Sequence, residues 1–254
     1  MKLVVDEQHL GQPEQFWEAS GALKSVLPLQ VPSAGRIVLV APHPDDEVFG
    51  AAGLVQHSVA SGLQLQIVAV TDGESSHPHS KAAARSELAH LRSRETLLGL
   101  RRLGVDAPQI TRLGLPDGDV GRYASALQRA LEEILRPDDL CVAPWRFDGH
   151  PDHEVCGDVA SRASEARGAS VLSYLVWAWH WADPAGRDIP WRQCRRLELT
   201  RRQAARKRWA THAFQSQIRP IGPEPADGAV MPDAIMRRFW RRYEIYVGET
   251  PDET

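Results

Sequence analysis

The chain has 254 residues, 43% hydrophobic and 25% charged, the balance of a soluble globular protein with room for one large α/β domain or two small ones. A net charge of −3 argues against a dedicated nucleic-acid binder, and no segment has the apolar length of a membrane span. Three scattered cysteines (Cys141, Cys156, Cys194) exclude a disulfide framework or a cysteine zinc site and read as buried thiols. In chain order, residues 1–34 form a preamble with a short helix near Phe16 to Val26. Asp6, Glu7 and Glu14 stand where a signal peptide would have a basic region and an apolar core, so a cytoplasmic setting is expected. "RIVLVAP" is an unbroken apolar run, typical of a parallel strand covered on both faces. A helix is expected over 49–61, stopped by Gly62. "LQLQIVAVTDGE" gives a second strand, and a long helix over 81–103 closes at Gly104. "QITRLGLPDGD" is a third strand, followed by a helix over 123–135. "DLCVAPWRFDGHPDHE" is a fourth strand, followed by a helix over 155–167, and "SVLSYLVWAWHW" is a fifth strand. This alternation predicts one mainly parallel, Rossmann-like doubly wound sheet in the order 3-2-1-4-5. The whole chain reads as a single domain, with a core over 35–180 and a C-terminal elaboration over 181–254.

Two polar clusters end strands in this scheme. "PHPDDE" follows the first strand and "GHPDHE", Gly149 to Glu154, follows the fourth. Ligands of open parallel sheets bind beyond the carboxyl ends of the strands, and the order 3-2-1-4-5 makes these two ends neighbours at the switch point. His43 and Asp46, three apart in a turn entering a helix, can converge, and His153 supplies a third ligand from the opposite loop. Two nitrogens and one oxygen, with a position left for water, match catalytic zinc, one ion per chain, with iron(II) or another divalent metal as replacements. Asp45, next to a ligand but not committed to the ion, is the candidate base for the metal-bound water. Carboxylates also favour helix N-termini for structural reasons. Two clusters that each end a strand and share the order His-Pro-Asp outweigh that explanation.

Together "PHPDDE" and "GHPDHE" resemble the LmbE/PIG-L family of zinc-dependent de-N-acetylases, over about Arg36 to Gln217. "TDGE", "RSRETLLGLRRLG", "LGLPDG" and "APWRFDGHPDH" support the likeness. The resemblance implies His43, Asp46 and His153 as ligands and Asp45 as general base. It also implies that His150 stabilises the oxyanion and protonates the leaving amine, and that Asp152 orients a histidine. One departure is local. Many members carry Lys…His-x-Ser-Gln near the C-terminus, whereas "KRWATHAFQSQ" has Lys207, Ser216 and Gln217 but Phe214 at the histidine position.

Asp72 and Glu74, after the second strand, and Asp148, before the second motif, are candidate substrate contacts, and Asp117 in "LPDG" reads as a turn residue. "WAWHW" would place Trp177, Trp179 and Trp181 on one strand face, as core or as a sugar-stacking platform. "SSHPHS" reads as a loop over the site. The arginines over 195–208 and 237–242 would hold a phosphate or carboxylate if they border the crevice. The implied function is hydrolysis of an N-acetyl or N-acyl group from an amino-sugar conjugate, an anionic one in that case. An N-deacylase of a non-sugar amide and a non-catalytic sugar- or nucleotide-binding module are the alternatives.

Overall fold

The structure, a computed structural model, describes residues 11–31 and 35–248. The expectation of no signal peptide, which rests partly on Asp6 and Glu7, lies outside the described residues. The described residues open with two short helices, α1 (Glu14–Ala19) and α2 (Gly21–Ser25), and the strand β1 (Leu27–Pro28). β2 (Arg36–Ala41), α3 (Asp46–Phe49), α4 (Ala52–Ser61), β3 (Gln64–Ala69), α5 (Arg85–Leu103) and β4 (Gln109–Arg112) follow. Then come α6 (Ala124–Ile134), β5 (Asp139–Pro144), α7 (Pro151–Arg167), β6 (Ser170–Tyr174) and α8 (Ala178–Trp181). β7 (Cys194–Glu198), α9 (Arg201–Thr211), α10 (Gln215–Ile218), α11 (Asp233–Met236) and β8 (Tyr243–Gly248) follow in the described residues.

All eight strands form one sheet in the order β1-β7-β8-β6-β5-β2-β3-β4. β4, β3, β2, β5 and β6 pair in parallel, and β8 lies antiparallel between β6 and β7. Alternate residues of β2 serve different cores, because successive side chains of a strand point to opposite faces. Ile37 and Leu39 pack with Phe49, Leu54 and Leu100, whereas Val38 and Val40 pack with Leu127, Leu131 and Val159. Helices therefore cover both faces, and β2 and β5, central and adjacent, deliver their carboxyl ends side by side. Among the described residues no helix is long and apolar enough to cross a membrane. The three cysteines are buried thiols.

Helix boundaries differ from the sequence expectation in ways that matter for the site. The expected helix over 49–61 is two pieces broken at Gly50 and Ala51, so α3 starts at Asp46 itself. The helix expected from Val155 starts at Pro151, which fits the first turn because its missing N–H would have had no partner there. His153 thus sits on a helix and not on a loop. That helix approaches the end of β5 so closely that a Cβ on Gly157 would stand 2.4 Å from the Pro144 carbonyl oxygen. Glycine is what lets α7 carry His153 to the strand end. The preamble helix expected near 16–26 is α1 and α2, and α5 starts four residues later than expected.

A further expectation is corrected. The fifth strand ends at Tyr174, and the Trp-rich segment turns into α8. The cause is remote in sequence: the buried Asp148 carboxylate accepts the N–H groups of Val176, Trp177 and Ala178 at 2.9–3.0 Å and draws the chain out of the ladder. Three arginines of the C-terminal third have internal partners. Arg241 holds Glu14 through two hydrogen bonds and lies over Trp179, Arg238 meets His180 and Gln12, and Arg208 lies over Trp240.

The elaboration also braces the site. Buried Lys207 on α9 donates to the Phe49 carbonyl (2.9 Å) and to Glu244 on β8 (2.6 Å). Glu244 accepts from the Gly53 N–H (2.9 Å) and the Tyr246 hydroxyl (2.6 Å). These bonds occupy the carbonyl that ends α3 and an N–H in the first turn of α4, groups that a helix leaves without internal partners. α3, which begins with Asp46, is thereby fixed at its far end. Phe214 fills the position where a histidine was expected, packing on Phe49 with ring centroids 5.6 Å apart, while His212 stacks on Trp240.

Candidate metal centre and active site

His43 Nδ1, Asp46 Oδ2 and His153 Nε2 form a nearly equilateral triangle. Its sides are 3.4 Å (His43–Asp46), 3.2 Å (Asp46–His153) and 3.3 Å (His43–His153). Ligand atoms bound to one tetrahedral ion at about 2.0–2.1 Å stand about 3.3–3.4 Å apart, so the three atoms fit a zinc-sized ion. The far side of each ring fixes its tautomer. His153 Nδ1–H donates to Asp148 Oδ2 at 2.8 Å, and His43 Nε2–H faces Asp152 Oδ2 and Asp117 Oδ1, each at 3.2 Å. Each ring, once neutral, turns its unprotonated nitrogen toward Asp46, as carboxylate-supported metal ligands do. His43, Asp117 and Asp152 also form a compact group, as do His43, His150 and His153. Two imidazole nitrogens and one carboxylate favour the Asp46 side of His43.

The carboxylates dominate the electrostatics. Burial works against a charged His43, but Asp117, Asp152 and Asp46 outweigh it and hold the pKa well above the ordinary value. His153 is pushed up to about 9 in the same way: burial opposes, and Asp46 and Asp148 prevail. Burial would raise Asp46, yet the two histidines hold it well below the usual carboxylate range.

Asp45 is buried and has φ 132°, the only positive φ at a non-glycine position among the described residues. Such a conformation costs about 1–3 kcal/mol and persists only where the surroundings enforce it. Here the Asp45 N–H donates to Glu47 Oε2 (3.1 Å), and buried Arg92 on α5 grips the segment. Arg92 donates to the Pro44 carbonyl (2.8 Å), the Gly73 carbonyl (2.8 Å) and Asp45 Oδ2 (3.1 Å). Burial raises the pKa of Asp45 well above the ordinary value, although Arg92 works against the rise.

His150 caps α7, its Nδ1 accepting from the Asp152 N–H at 3.2 Å, which leaves the ring proton on Nε2. Its ring lies 4.8 Å from His43 and stacks on Trp177 at 5.5 Å between centroids. Burial, with His43 and His153 nearby, lowers its pKa to about 3, so the ring is neutral at pH 7.

Of the expected substrate contacts, Asp148 is wholly buried beneath His153, with both oxygens taken by protein donors, and does not line the crevice. Asp72 pairs with Arg112 at 2.7 Å, and Glu74 accepts from the Asp117 N–H at 3.0 Å. Sequence reasoning missed two residues. Asp117 is a site carboxylate as well as a turn residue, and Arg92 was one arginine among several. The 75–82 loop is stitched to the C-terminal segment through His77–Gly228 (3.1 Å) and Ser80–Asp227 (2.5 Å), and its Ser75 N–H donates to the site carboxylate Asp117 at 2.8 Å.

Asp148→Asn should lower metal affinity about 10–100-fold, because an amide cannot accept from His153 Nδ1–H and from three backbone N–H groups together. Titration of the apo-protein with zinc against a competing chelator reads this. Unchanged affinity would mean that Asp148 serves α8 alone.

The family profile described as "PIG-L: GlcNAc-PI de-N-acetylase" matches residues 38–164, half of the chain. A probable N-acetyl-alpha-D-glucosaminyl L-malate deacetylase 2 of Bacillus subtilis is 27% identical over 135 residues, covering 50% of this chain and 60% of that protein. A 1D-myo-inositol 2-acetamido-2-deoxy-alpha-D-glucopyranoside deacetylase of Mycolicibacterium gilvum is 26% identical over 163 residues, covering 55% of this chain and 57% of that protein. The chain thus spans about three-fifths of the length of these curated relatives. The N,N'-diacetylchitobiose deacetylase of Pyrococcus horikoshii, solved with an inhibitor, superposes with a TM-score of 0.59 at 20% identity. That match covers 84% of this chain and 82% of that one, a likeness of fold.

Proposed function

Because the chain belongs to the PIG-L family of GlcNAc-PI de-N-acetylases, we propose that it hydrolyses the N-acetyl amide of an amino-sugar conjugate. The observation that carries this reading is the triangle of His43 Nδ1, Asp46 Oδ2 and His153 Nε2 with the strained, buried Asp45 beside it. We read the sheet as Rossmann-like and doubly wound, with the crevice at the ends of β2 and β5 where such sheets bind ligands.

His43, Asp46 and His153 would hold one divalent ion, zinc by the donor set. Once bound, such an ion polarises a carbonyl and brings the pKa of water from about 15.7 to about 7. Asp45 then acts as general base. Its raised pKa suits it to take the proton from the attacking water, and Arg92 keeps it aimed. His150, neutral with its proton on Nε2, donates a hydrogen bond to the acyl oxygen on which negative charge develops. A neutral imidazole is too weak an acid to deliver a full proton, so Asp45 passes on the proton it has taken when the amine leaves. This divides the two roles that the resemblance implied for His150. Asp152 and Asp117 hold the His43 proton and are positioning residues. Arg208 and Arg241 have internal partners, and the exposed Arg201, Arg202, Arg237 and Arg242 keep an anionic conjugate among the candidate substrates.

Acetate release from a panel of N-acetylated sugars and non-sugar amides tests the function. Turnover confined to sugars that stops on chelation and returns with zinc is the expected result. Turnover confined to non-sugar amides would make the chain a different deacylase, and none on any amide would leave only a binding module.

A further inference from the structure

Residues 96–105 and 199–223 contain no Asp or Glu, although the whole chain carries a net charge of −3. The first stretch ends α5, the second contains α9, and the two helices pack together. Arg102 Nη1 donates to the Trp209 carbonyl at 2.8 Å, and its guanidinium lies 5.1 Å from the centre of the Trp209 ring. That ring is 57% exposed. Leu98, one turn before Arg102, is exposed too, as are Leu97 and Arg101. Arg206, one turn before Trp209, reaches the glycine that ends α5. A Cβ on Gly104 would stand 3.1 Å from Arg206 Nη1 and 3.6 Å from Val59, itself 44% exposed in the last turn of α4. Three helices thus present one surface in which arginines alternate with exposed Trp, Leu and Val side chains. It extends away from the crevice. Arg92 holds the Pro44 carbonyl, and Gly104 lies twelve residues further along, about 18 Å at about 1.5 Å per residue.

We propose that this surface docks peripherally on an anionic lipid bilayer. Arg101, Arg102 and Arg206 meet the headgroups, and Trp209 enters the interface with Leu97, Leu98 and Val59. The mixture of side chains, with no carboxylate among them, selects the occupant. A nucleic acid would engage the arginines but leave the aliphatic groups without an apolar partner. A bilayer takes both kinds: anionic headgroups attract arginines, an indole settles at headgroup level, and aliphatic side chains reach the acyl boundary. Exposed apolar groups that stand together mark such contact surfaces. Docked this way, the crevice at the ends of β2 and β5 stays clear of the lipid. The inference is independent of the amidohydrolase reading, because none of these residues belongs to the His/Asp cluster.

Co-sedimentation with unilamellar vesicles tests this, with pure phosphatidylcholine set against an equimolar mixture of phosphatidylcholine and phosphatidylglycerol. Wild type should bind the mixture, leave pure phosphatidylcholine unbound, and come off the mixture as salt rises. Arg101→Gln and Arg206→Gln should each weaken binding about fivefold, and Trp209→Ala by about as much. Brominated acyl chains should quench part of the wild-type tryptophan emission and less of it in Trp209→Ala. All three variants should keep the melting temperature and metal content of wild type, since none alters the site. Arg102 is left in place because it also holds α9. Binding to the mixture that all three variants retain would overturn the proposal, as would equal binding to both kinds of vesicle or binding to neither. Binding to a DNA duplex that needs the arginines but not Trp209, without binding to vesicles, would assign the surface to nucleic acid instead. A dimer by light scattering that Trp209→Ala breaks, again without vesicle binding, would assign it to a second copy of the chain.

Discussion

Replacing His153 by alanine is expected to reduce metal occupancy from about one ion per chain to a small fraction, and activity with it. The ring is fully buried on α7, its Nε2 standing 3.2 Å from Asp46 Oδ2 and 3.3 Å from His43 Nδ1, so its loss removes a corner of the triangle that nothing nearby replaces. His150, the other nearby imidazole, has Nδ1 engaged with the Asp152 N–H. Elemental analysis after dialysis gives the occupancy, and zinc added back to chelated protein should restore wild type but not the variant. Full retention of zinc in the variant would take His153 out of the ligand set. The site carries a pH signature too. His153, held at about 9 by Asp46 and Asp148 against burial, must lose its proton before it can bind an ion. Metal binding therefore releases protons, and wild-type affinity should strengthen as the pH rises toward about 9.

The parts of the site visible in the sequence share one property: each depends on short-range pattern and on where a strand ends. His43 and Asp46 follow β2, and His153 follows β5, so an apolar run ending in ionisable residues brings them within reach of one another. Arg92 shows a signal that went unused. Leu88, Arg92, Glu95, Gly99 and Leu103 are buried along α5 at steps of three and four residues, with Thr96 and Leu100 beside them. Polar residues on the core face of a helix have to be bound by something. Arg92 holds the strained Asp45 segment, and Glu95 holds Ser216 through its N–H and hydroxyl (2.8 and 2.6 Å). The Trp-rich segment could not be read this way. Its alternation is that of a strand, and only the Asp148 carboxylate, 28 to 30 positions earlier, turns it into α8. The C-terminal arginines are similar. Arg241 finds Glu14 across 227 positions, and charge clustering in the sequence cannot distinguish that pairing from an open rim.

Asp45→Asn should leave the ion in place and lower kcat by about 10²–10⁴-fold, the typical contribution of a positioned general base. Asparagine has nearly the same shape and can still accept from Arg92, so the Pro44–Asp45 turn should persist. What it lacks is the capacity to take a proton. Asp45 is not a corner of the triangle, so metal content is expected to match wild type, and KM should change little because the substrate's ground-state contacts are untouched. The pH profile gives a second, independent reading. A base works only when deprotonated, and burial raises the pKa of Asp45 above the carboxylate range despite Arg92. Wild-type kcat/KM should therefore climb with pH through a limb displaced upward from where an exposed carboxylate titrates. That limb should be missing in the asparagine variant, whose residual rate has no proton to place on residue 45. Loss of the ion with wild-type turnover per remaining ion would instead mean that Asp45 is the ligand and Asp46 the base. The observed geometry points the other way: Asp46 Oδ2 lies between two imidazole nitrogens at 3.2 and 3.4 Å, while Asp45 Oδ2 lies against a guanidinium at 3.1 Å.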